Sequence, residues 1–132
     1  MVDLAWHVKI FHEFTLDHLF DVLRLRVDVF VVEQQSAYPE LDAFDRHSGT
    51  RHVFGCDENG LVITYVRILP PGLCYPEVSF GRFVVRREAR GQGIGHQLIR
   101  AAFQEILKCW PDKGIRISAQ NYLQRFYQLK GP

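Results

Sequence analysis

The chain has 132 residues, 47% hydrophobic and 23% charged, enough to bury one core and too few for a second domain. Its 16 basic and 15 acidic residues leave a net charge of +1, so no overall field argues for nucleic acid or an anionic membrane, and any anion must be bound locally. Cys56, Cys74 and Cys109 are widely spaced without a CxxC pair, and the N-terminal MVDLAWHVKIFHEF is too polar for a signal peptide, so a cytoplasmic protein with reduced thiols and no membrane span is expected.

Trp6, Val8 and Ile10 alternate with His7, Lys9 and Phe11, which predicts a half-buried first strand. Thr15 can cap a long amphipathic helix whose Leu16, Leu19, Phe20, Leu23, Val27 and Phe30 recur at helical spacing. Val31 to Gln35 leads into a loop, Ser36 to Gly49, that holds Pro39, Glu40, Asp42, Asp45 and His47; loops of this length are more often functional than idle. His52 to Cys56 and Leu61 to Leu69 read as strands about Asp57-Glu58-Asn59-Gly60, whose Asn-Gly signals a two-residue hairpin. Pro70-Pro71-Gly72 stops the second of these strands.

Val78 to Val85 is the next strand, and Gly93 to about Cys109 the next helix, which ends before Trp110-Pro111. Ile115 to Ala119 reads as a fifth strand, and Asn121 to Lys130 as a short helix with Tyr122, Leu123, Phe126 and Leu129 on one face. The order β-α-β-β-β-α-β-α contains no internal repeat.

The stretch that organises this order is VSFGRFVVRREARGQGIG, residues 78–95, in which a strand runs into a glycine-rich helix start. Gly91, Gly93 and Gly95 remove the Cβ atoms that would hold a ligand off the backbone, and the unpaired N–H groups of a first helical turn attract an anion. A dinucleotide fingerprint would need glycine where His96 stands, and a nucleotide-triphosphate loop would need Gly-Lys-Ser/Thr, so both drop out.

What remains, Arg-x-x-Gly-x-Gly after a strand, resembles the acyl-CoA pyrophosphate loop of the GNAT N-acetyltransferase superfamily. Leu25-Arg26-x-x-Val29-Phe30-Val31-Val32-Glu33-Gln34 and Ala119-Gln120-x-Tyr122-Leu123-x-x-Phe126-Tyr127 extend the likeness, in order and spacing, to the ElaA-type subgroup. Acyl-homoserine-lactone synthases share the Arg-x-x-Val-Phe segment, and the last stretch favours the acetyltransferase.

The resemblance implies a single α/β (α+β) domain over residues 1–132, with a mixed central sheet flanked by helices. It implies acetyl-CoA in a cleft where the strands ending at Val85 and Ala119 splay, so that backbone groups of Phe83, Val84 and Val85 meet the pantetheine arm. It also implies that Arg90, Gly91, Gln92, Gly93, Ile94 and Gly95 hold the pyrophosphate, Ile94 through its backbone N–H alone. Gln120 or Asn121 would bond the cofactor arm, and Tyr127 would protonate the departing sulfur.

For the base the reading selects Glu33, whose apolar run would place it near the sheet and raise its proton affinity, against a salt-bridge carboxylate facing Arg26. Asp42, Asp45 and His47 are expected to be solvated, and no metal is expected. The acids Glu40, Asp42 and Asp45 would suit a cationic amine or, equally, solvent. His7, His12, His18 and His96 are expected at the surface.

Most relatives of this type continue with two further strands, whereas this sequence stops at Gly131-Pro132. The expected activity is transfer of an acetyl group from acetyl-CoA to a primary amine of a small molecule or peptide, the alternative being a module that binds acyl-CoA with little transfer. An uncovered Ile115 to Ala119 edge would favour self-association into a homo-oligomer.

Overall fold

The computed structural model describes residues 3–35, 39–112 and 114–117, with only the backbone described at Arg116 and Ile117. Among these residues one sheet of five strands runs in the order β1 (Ala5–Lys9), β2 (Arg51–Cys56), β3 (Val62–Leu69), β4 (Val78–Val85) and β5 (Ile115–Ile117). The first four are antiparallel and β5 joins β4 in parallel. Helix α1 (Leu16–Arg26) covers one face and α2 (Ile94–Cys109) the other.

Because both faces are covered, β3 reads VITYVRIL without polar alternation, and all eight of its residues are buried. Val53, Val66, Ile68, Val78, Phe80 and Phe83 meet Leu98, Ile99, Ala102 and Ile106 of α2. Phe54, Cys56, Val62, Tyr65 and Val84 meet Val22, Leu25, Val29 and Phe30 on the α1 side. Successive strand residues such as Val53 and Phe54 thus serve different cores, as the two-residue period requires.

Thr15 caps α1 as expected, its Oγ1 accepting from the His18 N–H at 3.1 Å. The buried face of that helix differs from expectation. Leu16 and Phe20 are 85% and 62% exposed, while Val22, Leu25 and Arg26 are buried. The helix also does not run on as α; Val27–Glu33 is a π-helical segment in which the Gln34 N–H bonds the Val29 carbonyl at 2.9 Å, five residues back. The wider turn carries Glu33 past the position an α period assigns it.

One turn and one strand also depart from the reading. The β2–β3 connection is longer than two residues, since the Asp57 N–H bonds the Leu61 carbonyl and only Gly60 is left-handed, at φ +84°; Asp57 Oδ1 braces the turn by accepting from Asn59 and Leu61. In β1, Val8 is exposed while His7 is half-buried on Phe54, because β1 is an edge strand whose two faces are unequally covered.

A bulge shapes the end of β4. Tyr65 pairs with Val84 and Arg67 with Gly81, so Val66 faces both Arg82 and Phe83, and Arg82 takes a left-handed φ of +56°. Pairing between β4 and β5 is limited, among the described residues, to Val78 with Ile115, Ser79 with Arg116 and Phe80 with Ile117. From Gly81 to Val85, β4 continues its ladder with β3 and leads into the glycine turn.

The expected solvation of the loop acids is overturned. Arg26, fully buried, binds Asp45 Oδ1 at 2.8 Å and Glu40 Oε2 at 2.7 Å; Arg67 binds Asp42 at 2.7 Å and Asp45 at 3.1 Å; Arg82, turned by the bulge, reaches Glu40 at 2.9 Å. Burial alone would raise the Asp45 pKa, but the Arg26 hydrogen bond and charge bring it down to about 2. His52 Nε2 lies 2.9 Å from the Asp45 carbonyl, which only accepts, so Nε2 carries the proton and Nδ1 accepts from the Tyr65 hydroxyl at 2.6 Å. Burial is the main reason that His52 stays neutral, with its pKa lowered to about 4. Asp42, Asp45 and His47 therefore do not converge as metal ligands: the two carboxylates face arginines, and His47 Nδ1 accepts from the Gly49 N–H.

Candidate active site

β4 ends at Val85, one 3-10 turn (Arg87–Ala89) follows, and the chain enters α2 through Arg90-Gly91-Gln92-Gly93. Gly91 and Gly93 have φ of +83° and +78°, a conformation that side chains with a Cβ rarely adopt, and a Cβ built on either would meet nothing within 4 Å. The turn is therefore open above its backbone. Gly93 is the N-cap of α2 and the first helical bond is donated by Gln97, so the preceding N–H groups point out of the helix end. Ile94 anchors the turn, its side chain only 2% exposed in the core.

A cavity of about 480 Å³ adjoins this turn. Phe83, Val84 and Val85 of β4, Arg90 to Ile94 except Gln92, and Gly95 line it from one side, and Glu33 of the π segment from the other. Gln92 is exposed outside the lining, and Gln120, Asn121 and Tyr127 lie outside the described residues. Sequence reasoning gave no site role to Val29, Gln34, Ala89 and His96, which also line the cavity. His96, expected at the surface, is half-buried there; its place two residues into the helix was the available signal. Val29 and Gln34 fall within the family-like stretch from Leu25.

Arg90 organises the cavity's charge. Its Nε donates to the Val85 carbonyl at 3.0 Å, while Nη1 and Nη2 bind the two oxygens of Glu33 at 2.7 and 3.2 Å. Glu33 thus pairs with Arg90 and not with Arg26. The Arg90 hydrogen bond holds its carboxyl below the usual range, opposite to the raised proton affinity expected of it. The Val84 carbonyl accepts from the Thr64 hydroxyl at 2.7 Å.

A left-handed glycine turn at a helix N-terminus, with an arginine beside it and a cavity over it, is suited to an anionic ligand. Residues 23–131 match the family described as the acetyltransferase (GNAT) domain, and the chain belongs to that family, whose general activity is acyl-CoA-dependent N-acyl transfer. Within it, the chain is 34% identical over 128 residues to ElaA of Escherichia coli, covering 97% of this chain and 83% of ElaA. It is 40% identical over 114 residues to a protein of Mycobacterium tuberculosis, covering 86% of this chain and 70% of that one.

The solved structure of E. coli ElaA superposes with a TM-score of 0.89 over 98% of this chain and 86% of that one, at 34% identity. An acyl-CoA N-acyltransferase from Pseudomonas aeruginosa superposes at 0.88, with 39% identity, over 98% of this chain and 88% of that one. Among the described residues no helix is long and apolar enough to cross a membrane.

Proposed function

We propose that the chain is a cytoplasmic N-acetyltransferase that moves an acetyl group from acetyl-CoA to a primary amine of a small molecule or peptide. The observation that carries this reading is the open left-handed turn at Gly91 and Gly93 beside the cavity, with Arg90 held at its mouth. Arg90 and the N–H groups of Gly91 to Gly95 would take the pyrophosphate, and the backbone of Phe83 to Val85 the amides of the pantetheine arm.

In transfer, the amine nitrogen attacks the thioester carbonyl carbon, a C–N bond forms and the C–S bond breaks. A strand N–H polarises the carbonyl as its oxygen gains charge. The amine gives up one proton to water, and Tyr127 supplies one to the departing thiolate and is reprotonated from solvent, with Gln120 or Asn121 steadying the arm. Glu33 fits two roles: base, through water, or the carboxylate that positions Arg90. The two-point pairing and the lowered proton affinity favour the second.

Thiol release from acetyl-CoA, followed across small amines, amino acids and peptides, tests the proposal. Amine-dependent release is expected. Binding of acetyl-CoA without release for any acceptor would make the chain a binding module.

A further inference from the structure

On the sheet face away from α2, His7 of β1, His18 of α1 and Cys56 at the end of β2 bring one nitrogen each and a sulfur to within 4.8 Å of one another. Cys56 Sγ lies 3.9 Å from His18 Nε2, and the two imidazole rings are 5.0 Å apart. We propose that these three residues form a binding site for a borderline-soft divalent transition-metal ion, zinc(II) by ligand chemistry. Two imidazoles and a thiolate select such ions over magnesium or calcium, which take oxygen ligands.

The arrangement is held rather than accidental. Phe54 stacks on His7 at 5.0 Å and meets the edge of His18 at 5.2 Å, so one buried ring orients both imidazoles. Zinc–nitrogen and zinc–sulfur bonds of about 2.0–2.3 Å put tetrahedral ligands roughly 3.3–3.8 Å apart, so the trio must close by about 1 Å. His7 and His18 are both half-buried and can supply that by side-chain rotation, with a fourth position left to solvent. Loading would tie the start of α1 to β1 and β2, on elements separate from the Arg90 turn, so the site stands or falls independently of the transferase reading.

The test is titration of the untagged full chain, carrying Cys74→Ser and Cys109→Ser, with cobalt(II) as a spectroscopic stand-in. One equivalent should give a saturable thiolate-to-cobalt charge-transfer band that zinc(II) displaces. Cys56→Ser should abolish the band, and His18→Asn, at a half-exposed position that tolerates change, should weaken cobalt binding at least ~10-fold. No band in the parent, or equal affinity in His18→Asn, overturns the site.

Discussion

Arg26 and Arg90 each grip a carboxylate through two nitrogens, yet the Arg26 side chain is 0% exposed and that of Arg90 42%. Arg26 is enclosed with Asp45, Glu40, Arg67 and Tyr65, where no water can replace a lost partner. Arg90 stands at the rim of a cavity, where solvent or an incoming anion can take over its hydrogen bonds as Glu33 leaves. Burial decides whether an ion pair is a fixture of the fold or an exchangeable contact. The same residue types therefore tie the loop that holds Glu40, Asp42 and Asp45 to the core and leave the Arg90 turn open.

The comparison breaks most directly on stability. Arg26→Met leaves Asp45 and Glu40 as buried charges without their main partner and should cost about 3–5 kcal/mol in urea denaturation. Arg90→Met should cost less than about 1 kcal/mol. Equal losses would mean that the two pairs are not different in kind.

Acid should act on the buried network in two steps. His52, with a folded pKa of about 4 against about 6.5 unfolded, binds its proton more tightly in the unfolded chain, so stability is lost as pH falls from ~6.5 to ~4, by on the order of 3 kcal/mol. Asp45, near 2 folded against about 3.9 unfolded, adds a further loss as pH falls below ~4. Thermal midpoints across this range check it; a flat profile between pH 7 and 5 would mean that His52 is not buried neutral.

Smaller effects sharpen the open end of the comparison. Tyr127→Phe should lower turnover ~10²-fold with acetyl-CoA affinity retained, and equal rates would remove Tyr127 from the chemistry. Glu33→Gln should raise the KM for acetyl-CoA severalfold, with a pH–rate profile parallel to the parent's, if Glu33 positions Arg90. A rate deficit growing toward low pH would instead make it the base.

How much of this was legible follows from the range of each signal. β4 was read to its final boundaries, and α2 to within a residue at its start, because hydrophobic period, Gly93 and Trp110-Pro111 are local. The face of α1 was misplaced because its buried stripe of Val22, Leu25 and Arg26 includes a charged residue that an apolar period does not count, while the apolar Leu16 and Phe20 lie on the exposed side. The loop acids read as solvated because their partners, Arg67 and Arg82, lie a β-strand away, and Arg82 reaches Glu40 only through a bulge no spacing announces. Glu33 was placed at the site by the apolar run before it, but its partner, 57 residues on, was not legible.

The central claim is that the turn at Gly91 and Gly93 receives the phosphates of acyl-CoA. Calorimetric titration of acetyl-CoA into the parent and into Gly93→Val tests it. At φ +78° a β-branched residue costs about 1–2 kcal/mol, and its side chain enters space that is open in the resting chain. The account predicts a folded variant that binds acetyl-CoA at least ~10-fold more weakly. Unchanged affinity in a folded Gly93→Val would contradict it.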